Sequence, residues 1–236
     1  MVIKAIFFDA AGTLFHLDGS VGEVYASLAR KHGKNVTAKA LEEGFLRAFA
    51  DAPPMAFPSV APRNLPASER RWWFELVGEI FASHGSFPQF ELYFEELYEL
   101  FSKAKAWKLY PETYETLFSL KEMNLHLGII SNFDSRLFPV LEGLAIREFF
   151  ESVVASTSAG VAKPDKKIFE KALAIHELDP GEALHVGDSY EMDVIGAHNA
   201  GVGPVLIDRS QDEKHDDVEH AIISRLDELI DLCRRD

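Results

Sequence analysis

The stretch Ile6-Phe7-Phe8-Asp9-Ala10-Ala11-Gly12-Thr13-Leu14 decides the fold of this chain. An apolar run ends in one carboxylate, Asp9, and then enters a Gly-Thr turn. This pattern predicts a buried strand with Asp9 at its carboxyl end. Open α/β sheets place their ligand sites at that edge, so we expect Asp9 to be a functional residue.

Further along the chain, four more short segments are apolar and rich in β-branched residues: 125–131, 152–156, 183–187 and 202–207. Together with the first run, 2–8, they predict five strands. Helical patterns separate most of them, including 166–178 and 191–200, and a last helix is predicted over 221–232. The alternation of strands and helices predicts an α/β fold with a doubly wound parallel sheet flanked by helices.

The region 17–107 has a different pattern, with helical periodicity and no convincing strand. We therefore expect a core domain made of 1–16 and 108–236, with an α-helical domain, 17–107, inserted after the first strand. An insertion just beyond Asp9 is well placed to cover it. The pair Trp72-Trp73 is expected in the interior of this helical insertion.

Composition narrows the classes of partner. The formal net charge of −14 argues against nucleic acid and anionic membranes as partners, but a small phosphorylated substrate can still bind in a local cationic pocket. No apolar run is long enough to cross a bilayer. A single cysteine, Cys233, fits a reducing cytoplasm. The oligomeric state is not readable from the sequence.

Four short motifs follow predicted strands or precede a helix, in one order along the chain. They are Asp9-Ala10-Ala11-Gly12-Thr13, Ser131-Asn132, Lys163-Pro164, and Gly187-Asp188-Ser189 with Asp193 five residues after Asp188. This ordered set, with a helical insertion after the first motif, resembles the haloacid dehalogenase superfamily, in its subfamily with a small helical cap. The segments 71–74 and 131–137 look like the branch called haloacid dehalogenase-like hydrolase domain-containing 3.

The resemblance implies a Rossmann-like core and a nucleophilic Asp9 that forms an aspartyl-phosphate. Mg²⁺ would bind the Asp9 and Asp188 carboxylates and the backbone carbonyl of Ala11, since hard oxygen ligands suit this ion. Lys163 would neutralise the phosphoryl oxygens. Hydroxyls and backbone N–H groups are expected to bind the phosphate, and they come from Gly12, Thr13, Ser131 and Asn132. Asp193 and Ser189 are expected to make orienting contacts behind the metal.

Ala11 departs from the pattern of the phosphatases in this superfamily, which carry aspartate there as general acid and base. Losing such a group typically costs on the order of 10²–10⁴-fold in rate. The sequence therefore predicts a Mg²⁺-dependent phosphatase of small phosphomonoesters with weak or specialised activity, best on acidic leaving groups. The alternative is an impaired protein that binds a ligand without turnover.

Two relatives in the superfamily work without that aspartate. Phosphonoacetaldehyde hydrolases share Asp-x-Ala-Gly-Thr but need a lysine in the helical cap, and no lysine occurs between Lys39 and Lys103. The 2-haloacid dehalogenases need an arginine there for the substrate carboxylate, and no arginine occurs between Arg47 and Arg63. They also lack Gly-Asp in the fourth motif, which this chain keeps. Outside the motifs, we expect His185 in the core, and Arg63 and Arg136 in solvent.

Overall fold

The computed structural model describes residues 2–85, 87–210 and 219–234. Six parallel strands form one sheet in the order β5-β4-β1-β6-β7-β8, and β2 and β3 form an antiparallel ribbon. The strands are β1 (Ala5–Phe8), β2 (Phe15–Leu17), β3 (Trp107–Leu109), β4 (His126–Ser131), β5 (Ser152–Ala155), β6 (Ala183–Gly187), β7 (Gly203–Ile207) and β8 (Ala221–Ile223). The α/β fold class predicted from the sequence is confirmed.

Strand β1 lies in the middle of this sheet, between β4 and β6. Its four side chains are fully buried and alternate between two hydrophobic clusters. Ile6 and Phe8 belong to one cluster, and Ala5 and Phe7 to the other. Since helices cover both faces, the strand reads as a continuous apolar run, as buried parallel strands do.

Ten helices surround and extend the sheet in the described ranges. They are α1 (Val21–Lys31), α2 (Ala38–Asp51), α3 (Leu65–Ala82), α4 (Phe90–Phe101), α5 (Thr113–Glu122), α6 (Leu137–Gly143), α7 (Ser156–Ala159), α8 (Lys166–His176), α9 (Gly196–Asn199) and α10 (Glu228–Arg234). A π-helical turn, Tyr190–Ile195, leads into α9, where the sequence predicted one continuous helix. No helix in the described part of the chain is both long and apolar enough to cross a membrane.

Helices α1–α4 pack around a hydrophobic cluster of their own, distinct from the two on the sheet. Local signals begin the first two of these helices. Ser20 and Glu23 form a capping box at the start of α1, and Thr37 accepts a hydrogen bond from the Ala40 N–H at the start of α2. The apolar stripes predicted for this region supply the buried side chains, including Tyr25, Leu41, Val77 and Phe94.

Three strands were missed by the sequence analysis. The ribbon β2–β3 pairs Phe15 with Leu109 and Leu17 with Trp107, at the two ends of the helical insertion. Three-residue strands show no period of their own, and the partner lies about 90 residues away in the chain. The predicted helix over 221–232 is wrong in its first half, because residues 221–223 form β8 beside β7, and α10 begins at Glu228.

Candidate active site

The four sequence motifs meet at the carboxyl edge of the sheet. Asp9 follows β1, Ser131 ends β4, and Asp188 follows β6, so three neighbouring strands deliver their side chains to one place. A pocket of about 510 Å³ opens there, which we call the catalytic pocket. Its polar lining is Asp9, Ser131, Asn132, Lys163, Asp188, Ser189 and Asp193.

Lys163 is the buried cation of this pocket. Its Nζ lies 2.7 Å from Asp9 Oδ1 and 2.5 Å from Asp193 Oδ1. Burial acts to lower the pKa of Lys163, but the Asp193 and Asp9 carboxylates outweigh it and hold that pKa above its ordinary value. The ammonium group is therefore charged at neutral pH.

Asn132 holds the backbone of Lys163 from both sides. The Lys163 N–H donates to Asn132 Oδ1 at 2.8 Å, and Asn132 Nδ2 donates to the Lys163 carbonyl at 3.0 Å. The side chain of Asn132 thus positions the lysine. The backbone N–H of Asn132 remains the expected phosphate donor, and Ser131 contributes a hydroxyl whose hydrogen bond acts to lower the pKa of Asp9.

Asp193 is fixed by contacts to both of its oxygens. Oδ1 accepts from Lys163 and lies 2.8 Å from His185 Nε2, and Oδ2 accepts from the Ser189 N–H at 3.0 Å. A Cβ at Gly187 would come within 2.0 Å of the Asp193 Cγ, so glycine is needed there. Asp193 therefore contacts the Lys163 ammonium group directly, and its orienting role stays a prediction.

His185 was expected to be an ordinary core residue, and the structure adds a polar role. It is fully buried in β6, and burial lowers the pKa of its ring, which is then neutral and donates Nε2–H to Asp193. Burial acts to raise the pKa of Asp193, but Lys163 and His185 hold it well below its usual range. The sequence does carry a signal for this polar role, because His185 is a polar residue in an otherwise apolar strand, two positions before Gly187.

Asp188 lies against the Gly12 turn. A Cβ at Gly12, where φ is +91°, would come within 2.2 Å of the Asp188 carboxylate, so only glycine allows this approach. Thr13 is fully buried, and its hydroxyl donates to Asp188 Oδ1 at 3.5 Å. Burial, and then the charges of Asp9 and Asp193, raise the pKa of Asp188 to about 7.

The carboxylates fit a divalent cation. Asp9, Asp188 and Asp193 each offer an oxygen within 4.8 Å of the others, and Lys163 is the one ammonium group that contacts this set among the described residues. Burial raises the pKa of Asp9 as well, against the opposing effect of Lys163. Since Asp193 is occupied by its hydrogen bonds, Asp9 and Asp188 are the pair suited to Mg²⁺.

Ala11 lines the catalytic pocket with a methyl group, at the position where the sequence already showed that the usual general acid is missing. This side chain has no proton to give. Its backbone carbonyl, the third predicted metal ligand, stays a prediction. Ala11 also lines a second, apolar cavity beside the first.

The expectation that Arg136 is solvated is wrong. The side chain is buried, and its guanidinium group binds Asp134 through both oxygens, with Nη2 2.6 Å from Oδ2. It also lies 4.1 Å from the ring centroid of Tyr98 and 4.8 Å from that of Trp73. The acidic partner two residues away, Asp134, was the signal for this pairing. Arg63 is exposed, as expected.

The chain is similar to known hydrolases, both to a family model and to individual proteins. Residues 3–201 match the family model described as haloacid dehalogenase-like hydrolase. The chain is 36% identical over 207 residues to human haloacid dehalogenase-like hydrolase domain-containing protein 3, covering 87% of this chain and 82% of that protein. It is 28% identical over 235 residues to a glyceraldehyde 3-phosphate phosphatase from Methanothermobacter thermautotrophicus, covering 92% and 90%.

A solved crystal structure has the same fold as this chain along almost the whole length of both. The crystal structure of an HAD phosphatase from Thermococcus onnurineus superimposes with a TM-score of 0.69 at 25% identity, covering 98% of this chain and 97% of that one. The matched length includes the helical insertion as well as the sheet.

Proposed function

Because the chain belongs to the haloacid dehalogenase-like hydrolases, we propose that it is a Mg²⁺-dependent phosphatase acting on a small phosphomonoester through an aspartyl-phosphate at Asp9. The observation that carries this proposal is the buried contact between Lys163 Nζ and Asp9 Oδ1, at 2.7 Å, beside the carboxylate of Asp188. A cation next to a carboxylate nucleophile favours its ionised form and attracts a phosphate dianion.

In the first step, a carboxylate oxygen of Asp9 attacks phosphorus while the ester P–O bond breaks. Lys163 sits where it can contact both the Asp9 carboxylate and the incoming phosphoryl oxygens, and Asp193 and Asn132 hold it there. Asp9 and Asp188 would hold Mg²⁺, whose positive charge would offset repulsion between nucleophile and phosphate.

Ala11 decides how the leaving group departs. The bond electrons go to the ester oxygen, which leaves as an anion and takes its proton from water. In the second step, water attacks the aspartyl-phosphate and loses its proton to solvent, while the bond from the Asp9 oxygen to phosphorus breaks, which releases inorganic phosphate and restores the carboxylate. Without an acid at position 11, a substrate whose leaving group is a weak base is favoured.

The other enzymatic alternatives find less support in the site. A 2-haloacid dehalogenase needs a cation for the substrate carboxylate, and Arg136 is already paired with Asp134. Phosphonoacetaldehyde hydrolysis needs a lysine over the site, and the helical insertion contains none between Lys39 and Lys103. Binding without turnover remains the second candidate, favoured by Ala11 itself.

The test is acetyl phosphate with Mg²⁺, since its leaving group is acetate, a weak base that needs no proton. We expect phosphate release and, after acid quenching, a mass increase of one phosphoryl group on intact wild type. Asp9→Asn should show neither. Undiminished phosphate release from Asp9→Asn would contradict the covalent mechanism, and no release from wild type would favour binding without turnover.

A further inference from the structure

A second cavity, of about 200 Å³, lies between helices α1–α4 and the carboxyl edge of the sheet. Aromatic side chains from all four helices line it: Tyr25, Phe45, Trp73, Phe94, Tyr98 and Phe101. We call this space the apolar cavity. It adjoins the catalytic pocket, because five residues line both: Ala11, Phe49, Met55, Asn132 and Phe133.

We propose that the apolar cavity receives the leaving group of the substrate, and that this group is an uncharged aromatic alcohol with a single ring. The inference rests on the proposed phosphatase function and adds to it the chemical class of the substrate. Its basis is the continuity of an aromatic cavity with the pocket that holds the Asp9 carboxylate.

The size of the apolar cavity fits one ring. A dry apolar cavity of about 150 Å³ in another protein accommodates benzene, and the space here is somewhat larger. Aromatic walls offer a ring both the burial of apolar surface and edge-to-face contacts. A sugar or a polyol would lose its hydrogen bonds to water on entering such a space.

The charge of the apolar cavity argues for a neutral group. Among the described residues that line it, the one with a charged side chain is Arg136. Asp134 neutralises that guanidinium group through both carboxylate oxygens, and the rings of Trp73 and Tyr98 lie against it. A carboxylate on the leaving group would therefore find no free cation there.

The position of Ala11 links the shape to the chemistry. Ala11 lines both spaces, so the leaving oxygen passes beside a methyl group that cannot protonate it. A phenol has a pKa of about 10, far below that of an aliphatic alcohol, and it departs as the anion more readily. An aromatic leaving group thus suits the apolar wall and also removes the need for the missing acid.

Binding of phosphonates tests the inference without turnover. Benzylphosphonate replaces the ester oxygen of phenyl phosphate with CH₂, and methylphosphonate lacks the ring. On the Mg²⁺-loaded full chain, calorimetry should show benzylphosphonate binding about 10- to 100-fold more tightly than methylphosphonate. A carboxylate in the para position of the ring should remove most of that gain. Equal affinities, no binding of benzylphosphonate, or tighter binding of the carboxylated ring would overturn the inference.

A cavity-filling variant identifies where the ring binds. Val77 lines the apolar cavity from α3 and does not line the catalytic pocket. Val77→Phe should bring the affinity for benzylphosphonate down to within about threefold of that for methylphosphonate. Glu79→Phe places the same ring on the exposed side of α3 and should keep the wild-type ratio. A ring preference that survives in folded Val77→Phe would place the ring elsewhere and overturn the inference.

Acetyl phosphate separates the two proposals, because its acetate leaving group is small and has no ring. Hydrolysis of acetyl phosphate without a preference for benzylphosphonate would keep the phosphatase and reject the aromatic site. A preference for benzylphosphonate without acetyl phosphate hydrolysis would reject the phosphatase and keep the apolar cavity as a ring-binding site.

Discussion

At the scale of single residues, the site combines an intact set of charged groups with one missing proton donor. Lys163 joins two buried carboxylates, those of Asp9 and Asp193, and His185 supports the second of them. Ala11 lies beside these residues and contributes no ionisable group. In the proposed mechanism, these charged groups assist the attack of Asp9 on phosphorus, but no side chain at position 11 can protonate the leaving group.

Ala11→Asp should restore the missing acid. We expect kcat/KM for ethyl phosphate to rise by about 10²–10⁴-fold, because an alkoxide is a strong base that needs a proton on departure. Acetyl phosphate should change much less. Ala11→Asn, similar in size but unable to transfer a proton, is the matched control. An equal gain from both variants would attribute the effect to shape and contradict the explanation.

Lys163→Met should destabilise the protein. The substitution leaves the buried carboxylates of Asp9 and Asp193 without their shared cation, and breaking a buried ion pair typically costs about 3–5 kcal/mol. Urea unfolding at neutral pH measures the loss. Lys167→Met, at an exposed position on α8, should leave the midpoint nearly unchanged. Equal midpoints for the two variants would mean that the ion pairs add nothing to stability.

At the scale of elements, a buried polar contact joins the helical insertion to the core. Glu69 on α3 is fully buried and accepts hydrogen bonds from the Ser135 N–H at 3.1 Å, the Ser135 hydroxyl and the Thr157 hydroxyl at 2.5 Å. One turn further along α3, the Trp73 indole N–H donates to Asp134 at 2.6 Å. Helix α3 is thereby held over the carboxyl edge of the sheet.

Glu69→Ala should weaken this contact strongly. It leaves the buried Thr157 hydroxyl and the half-buried Ser135 N–H and hydroxyl without their acceptor. An unsatisfied buried group costs about 1–3 kcal/mol, so we expect a loss of about 2–3 kcal/mol in the free energy of unfolding. Glu75→Ala removes an exposed glutamate from the same helix and is the control. A loss below about 1 kcal/mol for Glu69→Ala would mean that water replaces the carboxylate.

At the scale of the whole molecule, electrostatics and cavities decide what the protein can bind. The buried carboxylates of Asp9 and Asp193, the exposed carboxylate of Asp188 and one ammonium group form the site, on a chain whose net charge is already −14. A divalent cation would reduce this excess of negative charge. The adjoining apolar cavity carries no uncompensated charge in its described lining. In our proposal the catalytic pocket therefore binds the phosphoryl group of the ligand, and the apolar cavity binds its uncharged ring.

Mg²⁺ should stabilise the folded protein. At a free concentration of about 100 times Kd, binding adds about 2.7 kcal/mol, which corresponds to a rise of roughly 5–10 °C in Tm for a chain of this size. EDTA should reverse the rise. Asp188→Asn should remove the Mg²⁺ effect and stabilise the metal-free protein, since it relieves repulsion with Asp9 and Asp193. Asp227→Asn, at the surface, is the control and should show the same Mg²⁺-dependent rise in Tm as wild type. A full rise in Tm with Mg²⁺ in Asp188→Asn would exclude Asp188 as a ligand.

Local patterns were sufficient for five of the six strands of the sheet and for the motifs. The strand predicted at 183–187 has those bounds in the structure, and the one at 125–131 begins a single residue later. This accuracy has a physical reason: buried parallel strands are apolar throughout, and parallel topology carries their carboxyl ends to one edge. Asp9 and Asp188 were therefore predictable as neighbours from topology, and Lys163 was placed beside them by the resemblance of its motif.

Tertiary structure alone decided the features that depend on partners distant in the chain. Whether residues 221–223 form a strand depends on the neighbouring β7, and the burial of Arg136 depends on Trp73 and Tyr98 from two helices of the insertion. The apolar cavity likewise exists only where helices α1–α4 meet the edge of the sheet. The sequence by itself thus determined the fold class and the identity of the charged residues that meet at the site, because these follow from local periodicity, strand ends and an ordered set of motifs. The apolar cavity came from packing between segments, which no local pattern encodes.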